Sequence, residues 1–234
     1  MNLFDNSIME FVNRFSQDSH LFDYIIAHII ENNFVKGTPF VLALIFFWFQ
    51  KSPKITSNRG LIVIGIFSSL VSIVVARSMA ILLPYRARPF LNTDLHFVRP
   101  FGMTSEGLET WSSFPSDHAV LFFSLATCIF LLSRKAGLIA YLYAFFIICF
   151  PRIYFGLHFP TDILVGAAIG IMIPLIFSTK KISRPIVQKV FNFSSKYTGM
   201  FYVLFSLLLF QIATIFDKTR EIMHFLFDLL QKMV

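Results

Sequence analysis

The sequence predicts an all-α membrane protein: a polytopic bundle of about six spans with amphipathic helices in the interface at both ends. Of its 234 residues, 56% are hydrophobic and only 14% are charged, and the mean hydropathy is +0.70. Soluble domains carry roughly 25% charged residues, so this chain has too little charge to cover a surface that faces water. Its 31 Phe also exclude intrinsic disorder, because that much apolar surface does not stay solvated.

The composition and the placement of charges exclude several other classes. The two cysteines, Cys128 and Cys149, lie in apolar runs and do not form a disulfide framework. The net charge is +7, but no Lys/Arg cluster alternates with aromatic residues on a polar stretch, so nucleic acid is not expected as a partner. The first fifteen residues contain Asp5 and Glu10 and no basic segment, which argues against a removable signal peptide. No obligate protein partner is indicated.

The spans are predicted in chain order from apolar length, because about 20 apolar residues are needed to cross the roughly 30 Å of hydrocarbon in a bilayer. Six stretches qualify, at 34–50, 60–83, 116–133, 136–151, 160–178 and 198–216. We therefore assign residues 34–216 to one membrane domain. Within the fifth span, Gly166 and Gly170 form a small-residue face, which favours close helix packing inside the bundle over dimerisation.

The segments outside this domain are predicted to be amphipathic helices that lie in the interface. Residues 1–33 carry two such segments. The second, at 21–33, has an alternative interpretation as a short span lined by polar residues. Residues 217–234 have the same character. The apolar positions at helical spacing in the first segment are Phe4, Ile8, Phe11, Val12 and Phe15.

The orientation follows from the basic residues. Alternate loops hold ten of them and no acidic residue, which predicts that these loops face the cytoplasm. Loops 84–115 and 152–159 then face outward, together with both termini and all 13 acidic residues. The ten are Lys51, Lys54, Arg59, Arg134, Lys135, Lys180, Lys181, Arg184, Lys189 and Lys196.

The candidate catalytic and binding residues lie in three polar clusters on the outward face, at 85–90, 113–118 and 151–162. Together they bring arginines, histidines and carboxylates that suit a phosphate dianion, because paired guanidinium groups match phosphate oxygens. Helices that begin at Pro115 and Pro160 would point their N-termini at the same anion. His158 and Asp162 are four residues apart, so the carboxylate would hold one ring nitrogen while the other attacks phosphorus. His118 would donate the proton to the leaving group.

These clusters resemble the three signature motifs of the type-2 phosphatidic acid phosphatase and vanadium haloperoxidase superfamily. The matching segments are Arg-Pro at 88–89, Pro-Ser-Asp-His at 115–118 and Arg-x5-His-x3-Asp at 152–162, within a core at 60–178. No metal is expected, since two histidines and scattered carboxylates offer no closed ligand set, and no cofactor is expected either. The resemblance implies a phosphohistidine on His158 oriented by Asp162, protonation of the leaving group by His118, and phosphate binding by Arg88, Arg152 and Ser116.

Three positions depart from the family pattern. The lysine that opens the first motif is replaced by Ile81, and its charge is expected from Arg86, with Arg77 as the alternative. Arg77 lies within a span, where it serves either the substrate or a structural ion pair. Pro151 replaces a serine of the third motif. Asp117 replaces a glycine of the second, and it should repel phosphate unless it pairs with an arginine or orients His118.

The resemblance implies a phosphatase that removes the terminal phosphate of a membrane lipid at the outer face of a bacterial plasma membrane. The Pro-Ser-Asp-His variant is similar to that of bacterial undecaprenyl-diphosphate phosphatases and so favours a polyprenyl diphosphate substrate. Within the enzyme class, the alternatives are a phosphatidate or phosphatidylglycerophosphate phosphatase, a lipid A phosphatase and a lipid phosphotransferase. A lipid-phosphate binder or transporter without hydrolysis is the alternative outside it.

Overall fold

The computed structural model describes residues 2–103 and 111–215, and over these ranges the regular structure is entirely helical. This confirms the predicted fold class. Single 3₁₀ turns lie at Pro89–Leu91 and Thr93–Leu95, and a π-helical segment at Ala144–Cys149 joins α6 to α7. The α-helices are α1 (Leu3–Asn13), α2 (His20–Glu31), α3 (Asn33–Phe49), α4 (Ile55–Leu82), α5 (Asp117–Leu132), α6 (Arg134–Tyr143), α7 (Phe150–Tyr154), α8 (Pro160–Phe177), α9 (Lys180–Lys196) and α10 (Thr198–Ala213).

Three of the helical segments described are long and apolar enough to cross a membrane: Ile55–Leu82, Arg134–Tyr154 and Pro160–Phe177. Helices α2 and α3 pass the same test only as a pair, which is bent by 55° at the break between them. Helices α5 and α10 are apolar but only 16 residues long. The chain is therefore a membrane protein with several helices able to span a bilayer, and the number of six spans stays a prediction.

Helix α5 lies at the centre of the bundle and packs against α4, α6 and α8. Its contact with α8 depends on two glycines of α8, because side chains there would collide with the α5 backbone. A Cβ atom at Gly166 would lie 2.7 Å from the Ser116 carbonyl oxygen, and one at Gly170 would lie 2.5 Å from that of Val120. The small-residue face therefore packs inside the bundle, as predicted. It brings the N-terminus of α5 beside the N-terminus of α8.

Helix α1 turns an acidic face inward. Asp5, Met9 and Val12 are buried, whereas Phe4 and Phe11 are about half exposed. Helix α2 repeats the arrangement, with Asp23 buried. The amphipathic pattern of 1–33 is present, but most of the aromatic stripe of α1 faces away from the protein. Both helices are packed onto the bundle through polar contacts that the sequence interpretation did not include.

The loop between α4 and α5 is held by these two N-terminal helices over its described part. The Asn13 side chain donates to the Val98 carbonyl at 2.7 Å and accepts from its backbone N–H at 2.9 Å. The Asp23 carboxylate accepts from the Phe101 N–H at 2.9 Å and from the Tyr154 hydroxyl. The predicted C-terminal helix at 217–234 lies outside the described residues.

Candidate active site

The three polar clusters meet at one end of the bundle, where α4 and α7 end and α5 and α8 begin. Backbone and side-chain hydrogen bonds join each cluster to the other two, so the predicted common face exists in the fold. The bonds run from Ser113 N to the Arg86 carbonyl at 2.9 Å, from Arg88 Nη1 to the Leu157 carbonyl at 2.8 Å, and from Ser116 N to the Asp162 carbonyl at 3.2 Å.

His158 is almost fully buried, and its surroundings determine which ring nitrogen carries the proton. Its Nδ1 lies 2.7 Å from the Ser113 carbonyl oxygen and 3.7 Å from Asp162 Oδ2. Both neighbours are acceptors, so Nδ1 carries the hydrogen and donates it to the carbonyl. In the neutral ring, Nε2 therefore keeps its lone pair, which is the form that a nucleophile requires.

The electrostatic environment keeps this imidazole neutral. Burial is the largest cause, and it lowers the pKa of His158 from its ordinary value. The Asp162 carboxylate opposes the shift, whereas the positive charges of Arg88 and Arg152 add to it. At neutral pH the ring is therefore uncharged, with the positive charges of Arg88 and Arg152 nearby and the negative charge of Asp162 beside Nδ1.

Two arginines of the predicted phosphate-binding set are buried beside His158. Arg88 is 7% exposed and Arg152 is 3% exposed. Arg152 Nη1 donates to the Ile148 carbonyl at 2.7 Å, and this bond to a residue four positions earlier fixes the guanidinium against its own helical segment. Burial lowers the pKa of Arg88, and the negative charges of Asp117 and Asp162 oppose this, but a guanidinium remains charged in proteins. Both arginines therefore place a fixed positive charge beside His158.

Asp162 combines a capping role at the start of α8 with a hydrogen bond from Arg86. Helix α8 begins at Pro160, as predicted, and Asp162 Oδ2 accepts from the Phe159 N–H at 2.8 Å. Its other oxygen, Oδ1, accepts from Arg86 Nη1 at 2.5 Å. The Thr161 N–H donates to Asp5 Oδ1 at 2.9 Å. Carboxylates thus occupy the Thr161 N–H of α8 and the N–H of its N-cap residue Phe159, at a helix start that the sequence interpretation had directed at the phosphate.

The second helix start differs from the prediction. Helix α5 begins at Asp117 and not at Pro115, because Ser116 is the N-cap and its hydroxyl accepts from the Ala119 N–H at 3.5 Å. A serine hydroxyl satisfies a first-turn N–H that proline at the first position would leave exposed. The Ser116 side chain is fully buried. His118 lies in the first turn of α5, half-buried, with its ring 6.4 Å from that of Phe122.

Arg77 and Asp117 form an ion pair between α4 and the first turn of α5. The Arg77 guanidinium also lies over the Trp111 ring, 5.1 Å from its centroid. Of the two roles open to Arg77, the structure shows the ion pair. The pair also explains how Asp117 is accommodated at an anion site, since its charge is compensated by an arginine.

Arg86 lies against carboxylates. Its Nη1 donates to Asp162 and to Thr161 Oγ1 at 2.9 Å, and its Nη2 donates to Asp5 Oδ2 at 2.7 Å. The sequence interpretation had assigned Arg86 to the phosphate and had not included Asp5 in the site. The available signal was positional, because Asp5 shares a helical face with Met9 and Val12 at i, i+4 and i+7.

No group of three His, Cys, Asp or Glu side chains in the described ranges is placed to hold a metal ion. The candidate site consists of a neutral histidine with a fixed tautomer, the two buried arginines Arg88 and Arg152, and a carboxylate, Asp162, that binds a third arginine, Arg86. Fold and site together define a polytopic membrane protein with a buried histidine and two buried arginines at one end of its helix bundle.

Comparison with known proteins identifies the family. The model of the PAP2 superfamily matches residues 60–185, which is more than half of the chain. The chain belongs to the PAP2 superfamily, and the resemblance carried by its three motifs is confirmed. No solved structure matches the chain.

Three bacterial relatives show where the similarity lies. The bacitracin transport permease protein BcrC of Bacillus licheniformis is 29% identical over 135 residues, which cover 56% of this chain and 59% of that protein. The lipid A 1-diphosphate synthase of Escherichia coli (strain K12) is 28% identical over 177 residues, 73% of each chain. The undecaprenyl-diphosphatase BcrC of Bacillus subtilis (strain 168) is 25% identical over 184 residues, 78% of this chain and 88% of that protein.

Proposed function

We propose that this protein hydrolyses the terminal phosphate of a polyprenyl diphosphate, with undecaprenyl diphosphate as the first substrate to test. Membership of the PAP2 superfamily supports a phosphatase. The substrate is suggested by the relative named as an undecaprenyl-diphosphatase, which this chain matches over most of both lengths. The observation that carries the mechanism is the hydrogen bond from His158 Nδ1 to the Ser113 carbonyl, which leaves Nε2 unprotonated.

The reaction proceeds in two phosphoryl transfers. His158 Nε2 attacks the terminal phosphorus, the bond from phosphorus to the bridging oxygen breaks, and His118 protonates the departing lipid monophosphate. His118 then removes a proton from water, the water oxygen attacks the phosphohistidine, and inorganic phosphate leaves. Arg88, Arg152 and Ser116 hold the non-bridging oxygens in both steps, and Asp162 offsets the positive charge that develops on the imidazole.

Transfer to a second lipid is the other candidate. The relative named lipid A 1-diphosphate synthase is similar over 73% of both chains. A phosphohistidine supports either outcome, because a lipid phosphate oxygen can attack the adduct in place of water. The two activities differ only in the acceptor that reaches the site, and each leaves a different phosphorylated product.

The active site is proposed to face outward from a bacterial plasma membrane. The ten basic residues in segments without acidic residues support this assignment, because these segments lie at the other end of α4, α5 and α8. The diphosphate headgroup would then enter from the outer leaflet, among the three polar clusters, while the prenyl chain stays among lipid tails.

The test is phosphate release by purified protein in detergent with EDTA. Wild-type protein and the His158→Ala variant are each given three substrates: undecaprenyl diphosphate alone, phosphatidate alone, and undecaprenyl diphosphate together with lipid A. His28→Ala removes an exposed histidine and serves as the matched control. We expect release to be fastest from the diphosphate, unchanged in the control and absent in His158→Ala.

Other outcomes are equally informative. Near-normal release from His158→Ala would contradict the phosphohistidine. Preference for phosphatidate would replace the substrate but keep the mechanism, and formation of lipid A diphosphate would favour the transferase. Loss of activity in EDTA that added metal restores would contradict a metal-free site.

A further inference from the structure

Asp5 is a buried acidic residue from the N-terminal helix that reaches the catalytic end of the bundle. Its side chain is fully buried, and it accepts three hydrogen bonds from residues far away in the sequence. The donors are the Thr161 N–H at 2.9 Å, the Thr161 hydroxyl at 2.7 Å and Arg86 Nη2 at 2.7 Å. A buried carboxylate with this many specific partners has its position determined by them.

Arg86 connects Asp5 to Asp162. One nitrogen of its guanidinium binds Asp5 and the other binds Asp162 and Thr161, so the planar group spans two carboxylates. The Phe159 ring lies 4.2 Å from the guanidinium carbon and supports it from one face. A guanidinium fixed at both nitrogens and on one face has little freedom to reorient.

The consequence reaches His158 through Asp162. Oδ1 of Asp162 accepts from Arg86, and Oδ2 accepts from the Phe159 N–H. These two bonds orient the carboxylate so that Oδ2 also faces His158 Nδ1, at 3.7 Å. Without Asp5, Arg86 keeps only one carboxylate partner and gains rotamers, and the orientation of Asp162 is then no longer fixed from both sides. The charge that faces the imidazole depends on this chain of contacts.

We propose that Asp5 is a positioning residue of the active site, acting through Arg86 on Asp162, and that α1 is therefore a functional part of the catalytic machinery. The proposal rests on the proposed function of His158. It extends the site beyond the matched family region at 60–185, to a helix near the start of the chain.

The first test compares Asp5→Asn with Glu10→Gln in the full-length protein. Both variants remove one negative charge from α1, but Glu10 is exposed and Asp5 is buried. We expect kcat of Asp5→Asn to fall about 10- to 100-fold, a typical cost of misplacing a reacting group, with KM changed less than about twofold. Glu10→Gln should keep wild-type values. Equal values for all three proteins would overturn the proposal.

A double-mutant cycle separates positioning from general stability. If Asp5 acts through Asp162, Asp5→Asn should have less than about a twofold effect on kcat in an Asp162→Asn background. The same fold loss in both backgrounds would mean an independent structural effect and would overturn the proposal. If Asp5→Asn does not yield folded protein, Arg86→Lys tests the same bridge, because an ammonium cannot span both carboxylates.

A binding measurement distinguishes failure of this inference from failure of the proposed function. Orthovanadate mimics the pentacoordinate transition state, so it should raise the thermal unfolding temperature of wild-type protein and raise that of Asp5→Asn less. If Asp5→Asn keeps wild-type activity and the wild-type rise of the unfolding temperature with vanadate, only the role of Asp5 is overturned. Wild-type protein without phosphate release and without a vanadate shift would overturn the proposed function and this inference with it.

Discussion

The chemistry at the scale of single residues depends on the nitrogen of His158 that carries the proton. The sequence pattern suggested that Asp162 selects the tautomer, because the two residues are four apart across a helix start. In the structure the Ser113 carbonyl is 1.0 Å closer to Nδ1 than the carboxylate is, at 2.7 against 3.7 Å. The carbonyl therefore selects the tautomer, and the carboxylate acts through its charge.

This division of roles predicts the behaviour of Asp162→Asn. The tautomer should survive, but the positive charge that develops on the ring loses its counter-charge, so kcat should fall on the order of 100-fold, about 2.7 kcal/mol. Because Asp162 raises the pKa of His158, its removal lowers that pKa further. The neutral ring is the proposed nucleophile, so the acid limb of kcat/KM should move to lower pH. A pH–rate profile of both proteins measures the shift.

Movement of that limb to higher pH would contradict the electrostatic role. A full loss of activity at every pH would instead support tautomer control by Asp162. His28→Ala provides the control for the profile, because this exposed histidine lies on α2 and takes no part in the hydrogen bonds of the site.

The residues of the site were predictable from sequence to different degrees. His118, His158 and Arg88 lie in motifs whose spacing carries chemical meaning, and the fold brings those motifs together. The Ser113 carbonyl is a backbone group, so the residue type at that position gives no signal. Asp5 comes from a separate helix, and its contact with Arg86 depends on how α1 packs, which a single sequence does not determine.

At the scale of elements, the site is held by the close approach of α5 and α8. The buried Ser116 and the first turn of α5 are positioned against Asp162 because the two helices contact each other without intervening side chains. The small-residue spacing in α8 predicted this contact. The helix start at Asp117 was not predicted, since Pro115 and Ser116 both suit a helix N-terminus and only the observed capping bond distinguishes them.

Gly170→Ala tests this contact. The added methyl would lie 2.5 Å from the Val120 carbonyl, so the helices must separate. We expect a loss of about 1–3 kcal/mol in the free energy of unfolding, the usual cost of overpacking, together with reduced phosphate release as α5 shifts. Gly199→Ala in α10 is the matched control, because no neighbouring atom lies within 4 Å of its new methyl. Thermal unfolding in detergent and the phosphate assay measure both effects; equal stability of the two variants would contradict the packing argument.

The amphipathic helices show why a correct pattern gave an incomplete interpretation. In a soluble protein an apolar stripe faces the core and carboxylates face water. In α1 and α2 the buried faces contain Asp5 and Asp23, while Phe4, Phe11 and Leu21 are substantially exposed. A lipid environment removes the penalty for exposed apolar groups and makes an unpaired carboxylate costly, so the acids pair inside the protein. The helical periodicity was predictable, but the direction of each face was not.

At the scale of the whole molecule, charge is distributed by function and by topology together. The arginines and aspartates of the site lie at one end of the bundle, and the basic segments that contain no acidic residue lie at the other. Since loops rich in Lys and Arg stay in the cytoplasm, the asymmetry predicts an active site that opens outward. The outward orientation is required if the substrate is a lipid diphosphate released at the outer leaflet.

Cysteine labelling in spheroplasts tests this orientation. Asp94→Cys places a thiol at an exposed position of the loop between α4 and α5, which contains Arg86 and Arg88, and Lys181→Cys places one on the basic helix α9. A maleimide that cannot cross membranes should label the first variant in intact spheroplasts and the second only after lysis. The unaltered protein is the control, because its own Cys128 and Cys149 are both buried and should not react. The reverse pattern would place the site in the cytoplasm, and the basic loops would then have to be explained by binding to something other than the inner leaflet.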